Sequence, residues 1–320
     1  MKKFPGFELL SIKRIAVFWA VWILLGTVAC GGRPAVKTPD HLLTGAKAAQ
    51  KGVRWYEKGC FQRALEYFFN AHELFTASDQ LDGVAMSLNN IGNAYRALED
   101  YQSAVLFYDE AYAFFADIQD AEGMLQTLSN KAAALMDLDR LEPAEQVLNA
   151  AKLLAAKRSG TFVPLLNNRG VLMTKTGRYD EAEAILKQAL HAVKPEDLFQ
   201  TATVHFALGS LMQATKQYDR SMVYFSAALT ADQALGFYKG IADDLAAMGS
   251  VCLEKDDAVN AAKFFKRAIQ IYALIGLSGK TGRIMEQLES VAQKADLDIA
   301  VTRHFVTLWL EGGAGESPCR

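Results

Sequence analysis

IGNAYRALEDYQSAVLFYDEA, residues 91–111, holds two apolar-periodic segments on either side of a Glu99-Asp100 turn, and its spacing decides the fold. Apolar residues recur every three or four positions on both sides, the period of an α-helix with one buried face. A small residue, Gly92, is followed twelve positions on by Ala104, then by the large Tyr108 and by Ala111. Working outward, the same pattern returns along most of the chain. Gly92 belongs to a column of Gly52, Gly92, Ala132, Gly170, Gly209 and Gly249, at spacings of 40, 40, 38, 39 and 40 residues. Ala104 belongs with Ala64, Ala144, Ala182, Ser221 and Ala261. Tyr108 stands with Phe68, Leu148, Leu186, Phe225 and Phe265, and Ala111 with Ala71, Ala151, Ala189, Ala228 and Ala268.

Small residues where two helices cross let the backbones approach closely, and a large residue one turn away fills the gap beside them. Each unit therefore reads as a helical hairpin, with Ala85 to Leu98 and Tyr101 to Phe115 as an example pair. The hairpin turns fall at Glu99-Asp100, Asp139-Arg140, Gly177-Arg178, Lys216-Gln217 and Asp256-Asp257. One hairpin cannot bury its apolar stripe alone, whereas stacked hairpins can, which predicts a solenoid. Lys51, Lys131 and Arg169 interrupt a column held elsewhere by Ile91, Leu208 and Met248, so they must snorkel or find an acidic partner.

The 91–111 segment and LLNNRGVLMTKTGRYDEAEAILKQAL (Leu165 to Leu190) resemble tetratricopeptide (TPR) repeats of the longer, roughly 40-residue kind found in kinesin light chains and bacterial regulators. The resemblance spans about Gly45 to Leu274. It implies an all-α, right-handed solenoid of about six hairpins over 45–275, followed by degenerate capping helices over 276–311 and a disordered tail over 312–320. The capping helices are placed at Met285 to Ala295 and Leu297 to Leu310, with Phe305 and Trp309 closing the core.

The amino terminus reads as an export signal over 1–29. Lys2, Lys3, Lys13 and Arg14 outweigh Glu8, and Ile15 to Ala29 is an uncharged run of fifteen residues, short for a membrane span. Gly26-Thr27-Val28-Ala29-Cys30 resembles a bacterial lipobox, which implies lipidation at Cys30, with three acyl chains sufficient for lasting attachment. Gly31, where sorting signals for inner-membrane retention carry aspartate, implies an outer-membrane, periplasm-facing location. Residues 30–44, with two glycines and two prolines, read as a flexible tether. An uncleaved anchor on a cytoplasm-facing regulator is the alternative.

Function is sought on the inner face, which the first helix of each hairpin lines in TPR arrays. That face offers Asn89, Asn93 and Arg96 in the second unit, Asn167 in the fourth, and Phe206 and Gln213 in the fifth; Asn90, Asn130 and Asn168 form a column beside it. Asparagine carboxamides carry paired donors and acceptors able to clamp an extended peptide backbone. The same groups could instead bond to neighbouring helices and fix the superhelix. These readings imply a scaffold for an unidentified envelope protein or peptide, in envelope assembly, secretion or pilus biogenesis, and not an enzyme.

Composition agrees with a large buried interior: 51% of residues are hydrophobic and 22% charged. The net charge of −2, falling to −5 once the +3 of the first 29 residues is removed, argues against nucleic acid. No cofactor, metal or small-molecule substrate is expected. The five histidines never fall at metal-ligand spacing, and Leu277 to Thr281, LSGKT, reads as an inter-repeat loop rather than a phosphate-binding one. Cys60 and Cys252 lie five units apart along a solenoid, and no structural disulfide is expected.

Overall fold

In the computed structural model the described residues are 40–157, 161–312 and 318–319, so the expected signal, Cys30 and most of the tether lie outside them. Among the described residues there are fourteen α-helices and no strand. They pair as the columns predict. α1 (Asp40–Glu57) and α2 (Phe61–Ala77) form the first unit; α3 (Leu81–Ala97) and α4 (Tyr101–Asp117) the second; α5 (Ala121–Asp137) and α6 (Leu141–Ala155) the third. α7 (Val163–Lys175) and α8 (Tyr179–Ala192), α9 (Leu198–Ala214) and α10 (Tyr218–Leu235), and α11 (Tyr238–Glu254) and α12 (Ala258–Leu274) complete the six; α13 (Ser278–Lys294) and α14 (Ala300–Leu310) follow.

The small column works by close approach. A Cβ added to Gly52 would stand 2.5 Å from the Phe68 ring, one on Gly92 2.6 Å from Tyr108, and one on Gly209 2.7 Å from Phe225. The large side chain of each second helix thus lies directly on the backbone of the first. Tyr108, Phe225 and Phe265 are fully buried there. A second column joins successive units: Gly83 carries Phe75 of the unit before it, and Gly123 carries Phe115, each with a would-be Cβ at 2.3 Å. Most of the helices are followed by a residue in the left-handed region, such as Glu99 at φ 69° and Gly177 at φ 76°. Beyond each, the chain closes a C-terminal cap; the Asp100 amide, for example, donates to the Tyr95 carbonyl at 2.9 Å.

Lys131 found the acidic partner its column demanded, pairing with Asp109. Lys51 instead sits 5.8 Å from the centre of the Tyr67 ring.

Several expectations need correction. Asp40 to Thr44, assigned to the tether, begin α1, because Gly45 already packs against Phe75 and brings the preceding turn onto the array. Ser278 to Thr281 are not a loop but the first turn of α13; Thr281 is buried and its hydroxyl donates to the Leu277 carbonyl at 2.9 Å. The capping helices accordingly start earlier, and later, than placed. Trp309 packs on the terminal core beside Val306, whereas Phe305 stacks on its outer side and is 40% exposed.

The largest correction concerns the two ends. Cys60 and Cys319 form a disulfide, with Cα atoms 5.1 Å apart across 259 residues of sequence. The superhelix has turned far enough over six units to bring its beginning back to its end, because each unit adds a small rotation and the rotations accumulate. Tyr56, Phe61 and Leu98 of the first two units share a hydrophobic cluster with Leu245, Tyr272, Ile275 and Leu277 of the sixth. Glu99 pairs with Arg283 across the same seam. Cys252 stays unbonded and buried beside Phe265 and Leu288. Of the tail, Cys319 is therefore held against the first unit.

Candidate binding cavity

The curve of the superhelix leaves a half-open cavity of about 780 Å³ whose wall takes side chains from all six units. Of the residues singled out from the sequence, Asn90, Asn93, Arg96, Asn130, Asn167, Asn168 and Phe206 line it. Asn89 and Gln213 do not. Asn89 is 8% exposed and lies beneath the wall, where its Oδ1 accepts from Thr127 Oγ1 at 3.3 Å and from Asn130 Nδ2 at 3.1 Å. Gln213 reaches sideways to Glu254, donating to its carboxylate at 2.6 Å.

The asparagines serve the superhelix as well as facing the cavity. Asn130 accepts from Gln126 at 3.0 Å while donating to Asn89, and Asn168 Nδ2 donates to the Ser129 carbonyl at 2.8 Å, so the column bonds the third unit to the second and the fourth to the third. Asn93 Oδ1 accepts from the Tyr108 hydroxyl at 2.8 Å, which ties the rung to the residue that packs on Gly92. Arg96 Nε donates to Asp137 at 2.7 Å. Asn167 is different. It is 4% exposed, and its Oδ1 has no partner among the described residues. A buried carboxamide oxygen without a donor costs about 1–3 kcal/mol. Ser129 Oγ, in the same column one unit earlier, is unpaired as well.

The other side of the cavity went unread in the sequence. Phe199 and Phe237 lie with ring centres 6.0 Å apart, and both line the wall with Phe206. Beyond them stands a charged corner. Asp243 Oδ2 accepts from Lys239 at 2.6 Å, and its Oδ1 accepts from Lys280 and from the Tyr272 hydroxyl, both at 2.5 Å. Burial by itself raises the Asp243 carboxyl, but the Lys239 and Lys280 charges outweigh it and hold that group well below the ordinary carboxylate range. The register contained a signal for this side. Gln126, Pro164, Thr203 and Asp243 all stand six positions before the small column, and all line the cavity.

Behind the corner, in the joint between α10 and α11, lies a second acidic feature. Asp232 occupies the column that Phe75 and Phe115 fill with rings, and Gly240 makes room for it: a Cβ there would stand 1.8 Å from Asp232 Oδ2. Asp244, 1% exposed, lies close enough to Asp232 for the two carboxyls to influence one another, and its Oδ2 has no hydrogen-bond partner among the described residues. Burial, then the Asp232 and Asp243 charges, push the Asp244 carboxyl up to about 9. Asp232 is raised to about 7, first by burial and then by Asp243.

Among the described residues no helix is long and apolar enough to cross a membrane, and no group of histidine, cysteine and acidic side chains is arranged to hold a metal ion.

Comparison with known proteins agrees with this architecture. Residues 53–117 and 165–192 match tetratricopeptide repeat families. No curated protein matches the sequence. Among solved structures, the Rap conjugation gene regulator of plasmid pLS20, in complex with the Phr* peptide, is similar with a TM-score of 0.61 at 12% identity, over 96% of this chain and 85% of that one. A Rap protein complexed with Competence and Sporulation Factor is similar with a TM-score of 0.57 at 14% identity, covering 79% and 76%. A tetratricopeptide-repeat protein of Thermus thermophilus shares 23% identity over 60% of this chain and 95% of its own, with a TM-score of 0.47. The described residues thus form an all-helical solenoid of the tetratricopeptide-repeat kind, with repeats of that family matched over residues 53–117 and 165–192.

Proposed function

We propose that this protein is a membrane-anchored scaffold that holds a peptide, or a segment of a partner protein, in the cavity lined by its six units. The observation that carries the reading is the cavity itself. Its volume of about 780 Å³ falls in the range of sites that bury most of a small ligand, and carboxamides line one side while aromatic rings line the other. The carboxamides suit a peptide backbone, and Phe199, Phe206 and Phe237 suit apolar side chains between them. The Rap neighbour of similar fold, solved with the Phr* peptide, lends support by analogy of architecture.

The anchoring part rests on the lipobox-like 26–30 segment, and we place the protein at the outer membrane, facing the periplasm, in envelope assembly, secretion or pilus biogenesis. The Cys60–Cys319 disulfide supports an oxidising compartment over the cytoplasm-facing alternative, since such bonds persist where thiols are not kept reduced. Two experiments test the reading. A photo-crosslinking residue at Asn90 or Asn168, with a control at Leu153 on the outside (70% exposed), should yield adducts with one defined peptide or protein from the cavity positions alone. Adducts from Leu153 only, or from all three equally, refute cavity binding. Labelling with a fatty acid should mark the wild type and not Cys30→Ser; equal labelling removes the anchor.

A further inference from the structure

Resting on the anchored reading above, we infer that the outer face of the first unit, formed by Lys47, Lys51, Arg54 and Lys58 of α1 with Arg63 of α2, docks on the anionic headgroups of the membrane that carries the anchor. The first observation is where these residues stand in the repeat. At spacings of 4, 3 and 4 the four α1 cations fall on one side of the helix, and all four are exposed. In later units the same register positions turn to the unit before. Ile91 and Ala94 are buried with Ala64, Leu65 and Phe68, and Val204, Leu208 and Leu211 with Ala182, Leu186 and Ala189. Among the described residues no unit precedes α1, so this side is open. A terminal repeat needs a polar outer face, but either sign of charge provides one. The opposite end shows the mixed solution: around α13 and α14, exposed Glu286, Asp296 and Asp298 stand with Lys294, and Arg303 is paired with Glu289.

The second observation is that no acid answers this charge. Among the described residues none of the five cations is ion-paired, and three lie on rings instead: Lys51 is 5.8 Å from the centre of Tyr67, and Lys58 and Arg63 are 5.2 and 4.9 Å from that of Trp55. The neighbouring acids point elsewhere, Glu57 into the cavity and Glu66 into a groove beside Tyr95 and Asp100. A stripe of one sign, with half-buried tryptophan and tyrosine beside it, suits a headgroup layer. The third observation is the length of chain before α1. Only residues 31–39 separate Cys30 from Asp40, and even fully extended they span no more than about 35 Å. An acyl chain on Cys30 therefore keeps the start of α1 close to the lipid, where negative headgroups attract lysine and arginine. An acidic partner free in solution has no such advantage of proximity. The chain as a whole is net negative at −2, so the same surface repels the rest of the array and turns the first unit towards it.

The test is lysine modification by an amine-reactive reagent, read by mass spectrometry, on full-length protein isolated in detergent and added to preformed vesicles. The vesicles are phosphatidylcholine alone, or phosphatidylcholine and phosphatidylglycerol in roughly equal parts. Lys47, Lys51 and Lys58 should react about fivefold more slowly on the anionic vesicles than on the neutral ones, with Lys152 and Lys263, exposed on α6 and α12, unchanged. Raising the salt should remove the difference. Lys47→Gln/Lys51→Gln/Arg54→Gln alters exposed positions only; it should melt as the wild type does, float with both vesicles and lose the protection of Lys58. Wild type that floats with both vesicles and reacts equally on the two overturns the docking face and leaves the anchor standing. Protection that extends equally to Lys152 and Lys263, or that survives salt or the triple substitution, also overturns the face. Protection already present in detergent, and lost on dilution, assigns the face to a second copy of the chain and overturns lipid docking. Flotation with the anionic vesicles alone, with the three lysines protected, supports the face and removes the anchor. Flotation with neither overturns both readings.

Discussion

Replacing Cys319 by serine should loosen the whole array, because the Cys60–Cys319 bond closes a loop across 259 residues. The chain-entropy expression for such a loop gives about 5.6 kcal/mol at room temperature, above the typical 2–4 kcal/mol for disulfides. Repeat arrays lose cooperativity between distant units, and the seam retains its contacts between Phe61 and Tyr272 and its Glu99–Arg283 pair in the variant. The expected loss is therefore about 3–5 kcal/mol. With roughly 2 °C per kcal/mol for a chain of this size, calorimetry should show the melting temperature fall by about 6–10 °C. Adding a reductant to the wild type should reproduce the shift, and adding it to Cys319→Ser should change nothing further. Cys252→Ser, at a buried thiol outside the bond, serves as the control for cysteine replacement. If Cys319→Ser melts within about 1 °C of the wild type, the two ends are not joined in the way described.

Three further outcomes follow from the packing and the buried charges. Gly92→Ala places a methyl 2.6 Å from the Tyr108 ring and should cost about 1–3 kcal/mol in urea unfolding; the double variant Gly92→Ala/Tyr108→Leu, which copies the Ala132 and Leu148 pairing of the third unit, should recover part of it, and strict additivity would contradict the packing. Asp244 is raised in the folded state from an ordinary carboxylate value to about 9, so its contribution is fully present below pH of about 4 and is lost as pH climbs towards 9, at a limiting slope of about 1.4 kcal/mol per pH unit. Asp244→Asn should flatten the decline in stability between pH 5 and pH 8 (roughly the middle of that window), and an unchanged decline would refute the assignment. Arg283→Met removes one partner of an ion pair whose arginine is 59% exposed, and should shift stability by no more than about 1 kcal/mol; a larger loss would mean that the seam depends on charge rather than on its apolar cluster.

The hairpins were legible because each column has a single mechanical role repeated in every unit. Gly92 must lack a side chain since Tyr108 rests on it, and the same demand at Gly52, Gly170 and Gly209 writes the period into the chain. The inner-face asparagines were legible for the same reason. Ring closure was not, because it depends on a rotation accumulated over six units that no single column encodes, and Cys319 has no repeat position from which a pairing with Cys60 could be inferred. The charged corner was half-legible: Asp243 continues the column of Gln126 and Thr203, but Lys280 comes from α13, whose first turn resembles a loop in sequence. Asp232 was a visible exception, an acid among Phe75, Phe115 and Tyr272, but its meaning required the neighbour Asp244 that burial supplies.

Hydrogen–deuterium exchange, with and without the peptide or protein segment captured by the crosslinks at Asn90 and Asn168, tests binding in the cavity most directly. The account predicts added protection at first helices around the cavity, in α3, α5, α7, α9 and α11, with the outer helices α4, α6 and α8 unchanged. Protection confined to those outer helices, or none anywhere at saturating peptide, would contradict it.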